Sequence, residues 1–182
     1  MPITSTFATP VPLPAQSSVT GVYASVDLAD AFAIRLPPAA SNDPELLARF
    51  IFSNQPSWIG KLTNVRDVIV ARFGLKTARH LATLANDAKA KRVGIFKVYS
   101  TTATEIVVGE DDKHLDFRVS VLCGESSADN QRELIVSTVV HCHNALGRAY
   151  IFVIAPFHRM VVKASLRRAA HIGWPTVAGA SS

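Results

Sequence analysis

The chain of 182 residues carries a formal net charge of +5, with 48% apolar and 18% charged residues. That balance excludes a disordered chain, and the length suits one domain that buries about 70% of its unfolded surface without a disulfide or metal. The basic excess has no aromatic interleaving and no DNA-binding pattern, so no nucleic-acid partner is expected; no run approaches the ~18 apolar residues of a membrane span, so none is expected either.

Residues 1–21 are rich in Pro, Ser and Thr, and the alternation of Pro10, Pro12 and Pro14 predicts a flexible, extended N-terminal arm. Met1 to Thr20 contains no Lys or Arg and no unbroken apolar core, which is not the pattern of a secretory signal. A single domain is expected over 22–172, and 173–182 reads as a tail that Trp174 can anchor. From Asp30 to Leu36 the residues alternate, with Phe32, Ile34 and Leu36 on one face, which predicts a strand stopped by Pro37-Pro38. Asp43, Pro44 and Glu45 form a helix start, followed by Leu46, Leu47, Phe50 and Ile51 at helical spacing. A second helix is expected from Pro56 through Phe73, with Gly74 ending it. The alanine-rich stretch Lys76 to Lys91 fits a helix or a loop equally well.

Strands follow. Val93 to Tyr99 and Glu105 to Val108 are apolar and β-prone. Gly109 to Lys113 reads as a tight turn, His114 to Cys123 as the next strand, Gly124 to Arg132 as a polar loop, and Glu133 to His143 as a further strand. Short links between consecutive strands imply an antiparallel meander. The last element, Gly147 to Ala170, has an apolar stripe and a basic face, and Pro156 must kink it or mark its true start. The predicted fold is α+β: an antiparallel sheet wrapped around a long C-terminal helix.

Trp58-Ile-Gly-Lys-Leu-Thr-Asn-Val-Arg66, Gly109-Glu-Asp-Asp-Lys-His-Leu-Asp-Phe-Arg118, Val139-Val-His-Cys-His-Asn144 and the stretch from Gly147-Arg-Ala-Tyr-Ile to Pro156-Phe-His158 resemble a bacterial family known as domain of unknown function 2867. The resemblance spans about residues 27 to 170, and its most distinctive part is Asp-Asp-x-His-Leu-Asp-Phe-Arg. It implies kinship with the START-like, polyketide-cyclase-like (SRPBCC) superfamily, whose helix-grip fold closes a curved sheet on its last helix and often leaves a cavity between them. Members of the family occur alone or behind a Rossmann-type domain. This chain has no GxGxxG, and the family brings no established catalytic residues.

The candidate ligand-binding residues are His114, Asp116, Arg118, Tyr150 and His141. His114, Asp116 and Arg118 fall two apart and share a strand face, either in water or in a cavity. A turn over Glu110 to Lys113 sets Glu105 opposite Arg118 as a cross-strand ion pair. His141 and His143 share the face of the next strand and lie across from His114 and Asp116. Three imidazoles and a carboxylate could ligate zinc or iron, but hydrogen-bonded histidines are the plainer reading, so no metal and no cofactor is expected. Cys123 and Cys142 fall far apart along neighbouring strands, as reduced thiols of a cytoplasmic protein.

Three functions suit these features. The first is a binding module holding a small hydrophobic ligand between sheet and C-terminal helix. The second is a cofactor-free cyclase- or hydratase-type enzyme using His114 and Asp116. The third is an interaction module docking through the basic face of the last helix. Exposed strand edges allow a homodimer without demanding one.

Overall fold

The computed structural model describes residues 7–62, 64, 91–125 and 131–176. Seven strands form one sheet: β1 (Thr9–Val11), β2 (Leu28–Arg35), β3 (Arg92–Val93), β4 (Phe96–Thr101), β5 (Glu105–Asp111), β6 (Leu115–Glu125) and β7 (Arg132–Cys142). Their order across the sheet is β1-β2-β7-β6-β5-β4-β3, and every neighbouring pair is antiparallel. Helix α1 (Pro44–Ser53) and the long C-terminal helix α2 (Ala145–Ile172) pack against it. The expected α+β arrangement is present, and it is compatible with a helix grip.

The start of α1 follows from its capping residues. Asp43 Oδ1 accepts from the backbone N–H groups of Glu45 (2.9 Å) and Leu46 (3.3 Å), and Pro44 occupies the first turn. Leu47, Ala48 and Ile51 are buried by this placement, whereas Leu46 is exposed. Asp43→Ala is expected to cost about 1 kcal/mol, a fall in Tm of about 2–4 °C by thermal unfolding. Ahead of the helix, the Arg132 guanidinium donates to the carbonyls of Pro37, Pro38, Ala40 and Ser41 and to Asn42 Oδ1, holding the connecting loop against β7.

Both faces of the sheet are covered. On the inner face, Phe32, Ile34, Ile106, Val121 and Leu134 form the main core with Leu47 and Ile51 of α1 and Leu166 and Ala169 of α2. The outer face lies under the N-terminal residues. Val11 and Leu13 pack on Ala31, Ala33, Leu122 and Ile135, while Val19 and Tyr23 pack with Val107 and Val139. From Phe7 onward the expected arm is therefore seated on the sheet, and Thr9–Val11 adds a strand to β2. Glu105 fastens it: this buried carboxylate accepts from Ser17 Oγ (2.6 Å), Ser120 Oγ (2.6 Å), and the N–H and hydroxyl of Ser18. Burial pushes its pKa up, but the hydrogen bonds from Ser120, Ser17 and Ser18 outweigh it and hold the carboxyl below its ordinary range.

Several expectations need correction. The strand expected over Val93 to Tyr99 is split at Gly94, which has φ +60°. The turn expected at Gly109 to Lys113 lies later. Strand β5 continues to Asp111 because Gly109, Glu110 and Asp111 pair with Arg118, Phe117 and Asp116. His114 therefore sits in the turn, and β6 starts at Leu115. Glu105 faces Leu122 rather than Arg118, so the expected cross-strand ion pair does not form. The strand expected at Glu133 to His143 is Arg132–Cys142.

Helix α2 runs unbroken from Ala145 through Pro156, so the proline does not mark its start. Proline removes the N–H that would reach the carbonyl of Phe152; Phe152 and Pro156 are both exposed, which leaves that carbonyl open to hydration. Phe157, next to the proline, is also exposed. By length and composition alone α2 is apolar enough to cross a membrane, with a mean hydropathy of 1.3 over 18 residues. It also carries five Lys and Arg side chains and buries Ser165, Leu166 and Ala169 in the fold. Trp174, buried after α2, packs beside Phe50 with ring centroids 6.2 Å apart. The second helix is described over 57–62. Its expected continuation to Gly74, the alanine-rich stretch to Ala90 and the middle of the 124–132 loop lie outside the described residues.

Candidate functional site

Residues on β6 and β7 that share the outer face bring three of the five candidate residues together. Asp116 lies directly opposite His141, and Arg118 is two residues along β6. His143, just past β7, places Nε2 3.1 Å from Asp116 Oδ1, and its ring meets His141 edge-on at 5.2 Å. Asp116 Oδ1 also accepts from the Asp112 backbone N–H (3.1 Å). The carboxylate thus orients one imidazole at the partly open end of two central strands, a geometry suited to proton transfer or polar recognition.

His141 has different partners. Its Nδ1 lies 3.0 Å from both the carbonyl oxygen and Oγ of Ser25. A carbonyl can only accept, so Nδ1 carries the proton and cannot activate the Ser25 hydroxyl. Asp27 Oδ2 is 4.0 Å from the same nitrogen, whereas a catalytic triad needs the acid on the other one. Asp27 instead accepts from the Cys142 N–H (2.7 Å).

Arg118 is gripped between acid and aromatic groups. Nη2 donates to Asp111 Oδ1 (2.7 Å), and the guanidinium lies 3.5 Å from the Tyr99 ring centroid. The Tyr99 hydroxyl donates to Asp111 Oδ2 (2.7 Å). Burial and the Asp111 hydrogen bond raise the Tyr99 pKa. At Asp111, burial raises the pKa but the bonds from Tyr99 and Arg118 outweigh it and lower it. Tyr99 falls where the β4–β5 register shifts between Val98 and Ser100, a bulge of the kind that re-aims a side chain. Gly109, opposite Arg118, leaves room: a Cβ there would stand 2.1 Å from the Phe117 oxygen and 3.1 Å from Arg118 Cδ. Tyr23 closes this end, its ring 5.7 Å from that of His141. Burial pushes its pKa up to about 12.

His114 and Tyr150 lie elsewhere. His114 is buried, and its Nδ1 is 2.9 Å from Asn144 Nδ2. Asn144 Oδ1 caps α2 by accepting from the Gly147 N–H (3.0 Å), so the amide must donate to His114 through Nδ2. That bond leaves His114 Nδ1 an acceptor, engaged with the helix cap rather than with Asp116. Tyr150 is on α2 and packs against Leu28, Leu115, Val140 and Cys142 on the inner face.

A second polar group, on the inner face, is not among the residues expected from the sequence. Asp30 projects from β2 toward α2, with Oδ1 3.4 Å from His158 Nε2 and Oδ2 3.4 Å from Arg159 Nε. The Arg159 and Asp30 charges are close enough to attract. Yet Asp30 Oδ1 and His158 Nε2 are buried atoms with no aligned hydrogen bond. The signal for it was a lone acid among Leu28, Phe32 and Ile34 on an otherwise apolar strand face.

Among the described residues, no group of three or more His, Cys, Asp or Glu is placed to hold a metal ion. Both cysteines are free and buried, and burial pushes each thiol up to about 11, which keeps them protonated at neutral pH.

Comparison with protein families matches residues 22–165 to a family described as "Protein of unknown function (DUF2867)". No curated protein and no solved structure matches the chain.

Proposed function

The chain belongs to the DUF2867 family, and from that premise and the geometry above we propose that it binds a small hydrophobic ligand between the sheet and α2. The observation that carries this reading is the pair of buried, hydrogen-bond-free atoms Asp30 Oδ1 and His158 Nε2. They separate two apolar contacts of the helix. Tyr150, Ile151 and Ala155 pack on Leu28, Leu115, Val140 and Cys142, while Val162, Leu166 and Ala169 join the main core. An apolar site with a few convergent polar groups is the usual form of a small-molecule pocket. Asp30 accepts and an imidazole N–H donates, so a ligand hydroxyl, which does both, suits the pair.

On this reading the protein is START-like (SRPBCC), cytoplasmic and independent of a cofactor, and Tyr150 lines the apolar part of the site. The enzymatic alternative rests on Asp116 with His143, which are 3.1 Å apart, rather than on Asp116 with His114.

Native mass spectrometry of protein purified from its own host, followed by solvent extraction, tests the reading. A small apolar hydroxy compound is expected in the wild type, depleted about tenfold in Asp30→Asn and His158→Leu variants that keep their far-UV spectrum. A clean apo mass, with no thermal shift from a panel of lipids and hydroxylated metabolites, would overturn it.

A further inference from the structure

We propose that the outward face of α2 docks on an anionic lipid surface. This stands apart from the ligand reading and rests on residues facing away from the sheet. Phe152 is 84% exposed and Val153 59%, and Phe157 and Met160 are exposed nearly to half. At helical spacing Val153, Phe157 and Met160 share one face, the side opposite Leu166 and Ala169, and Phe152 stands outside it at the margin. Farther along the same face the chemistry changes to Arg167 and Arg168, whereas Lys163 lies over the Phe32 ring and Arg159 beside Asp30, both toward the sheet. The helix from Ala145 to Ile172 contains five Lys and Arg residues and no Asp or Glu.

Charge complementarity chooses the occupant. A second copy laid across this face would set cations against cations, so a symmetric dimer here is disfavoured. An acidic protein would satisfy the cations but gives no reason for four large apolar side chains to stand in water. An interfacial helix needs both: apolar side chains at the acyl boundary and Lys or Arg among anionic headgroups. From Val153 to His171 the face is about 27 Å long, ample for several headgroups. Arg167 and Arg168 border an open groove of about 710 Å³ with Pro56, Pro156 and Met160, which gives the headgroups a recess beside the apolar residues.

Flotation of the full chain with phosphatidylcholine vesicles, and with equimolar phosphatidylcholine–phosphatidylglycerol vesicles, tests this. Binding to the mixed vesicles alone is expected, weakened by salt. The double variant Arg167→Ala, Arg168→Ala should bind roughly thirty-fold more weakly, and Phe157→Ser about tenfold more weakly. Unchanged thermal unfolding of both variants shows that the fold survives. Failure to float, equal binding to neutral vesicles, or full binding by Phe157→Ser would overturn the proposal. So would a dimer in light scattering that Phe157→Ser dissolves, or capture of poly-glutamate that does not need Phe157.

Discussion

Replacing Glu105 by Ala is expected to cost about 3 kcal/mol, lowering Tm by roughly 6–12 °C, and to free the N-terminal residues from the outer face of the sheet. The side chain is 4% exposed and receives hydrogen bonds from three serines on two separate parts of the chain. Its removal leaves the Ser120 hydroxyl, which is fully buried, and the Ser17 hydroxyl facing a void. Glu105→Gln keeps the shape but weakens the acceptors, and about half the loss is expected. Hydrogen exchange locates the effect: amides over 13–20 should lose protection before those of β6 and β7. The pH dependence has a definite sign. A carboxyl whose folded pKa is lowered contributes stability that is fully present above its unfolded value, about 4.3, and is lost as pH falls through the folded one. Wild-type stability should therefore drop below about pH 4.3 more steeply than that of Glu105→Ala. Equal acid sensitivity in the two proteins would show that this carboxylate does not hold the arm.

What could be read in the sequence was local. The cap of α1 needs only Asp43, Pro44 and Glu45, and the common face of Asp116 and Arg118 needs only a period of two, so both were found. The hairpin before β6 was misplaced because Gly109-Glu-Asp-Asp-Lys is rich in turn formers, while the pairing that extends β5 comes from the facing strand. That shift moved His114 off the strand and into contact with Asn144. The outer layer was hidden for a similar reason. Ser17 and Ser18 find Glu105 across nearly ninety residues, and Tyr23 and Ser25 find His141 across more than a hundred. One sign of the layer did stand in the sequence. Ala31, Phe32, Ala33 and Ile34 are apolar without interruption, with small residues under the arm and large ones toward the core. A strand with one face in water alternates apolar with polar residues, so this run points to cover on both sides.

The seat of α2 depends on one glycine. Gly147 lies in the first turn, where its N–H is capped by Asn144 and its Cα faces the turn before β6. A Cβ at this position would stand 2.3 Å from the His114 carbonyl oxygen and 3.2 Å from its carbonyl carbon. The carbonyl cannot turn aside cheaply, because it accepts from the His143 N–H at 2.9 Å. Exchanging glycine for alanine inside a helix normally helps by about 0.5–1 kcal/mol. Here the clash is with backbone at a point where two elements meet, and Gly147→Ala is expected to cost about 2–4 kcal/mol instead. The helix must either lift from the sheet or break the pairing of His114 with His143, and each route disturbs Asn144 and Tyr150. Gly60 supplies the control, since a Cβ there meets nothing within 4 Å, and Gly60→Ala should be neutral or slightly stabilising. Urea unfolding of the two variants decides the matter. A large loss at Gly147 with none at Gly60 places the start of α2 hard against the turn; equal tolerance at both would mean that the helix begins farther from the sheet than these contacts require.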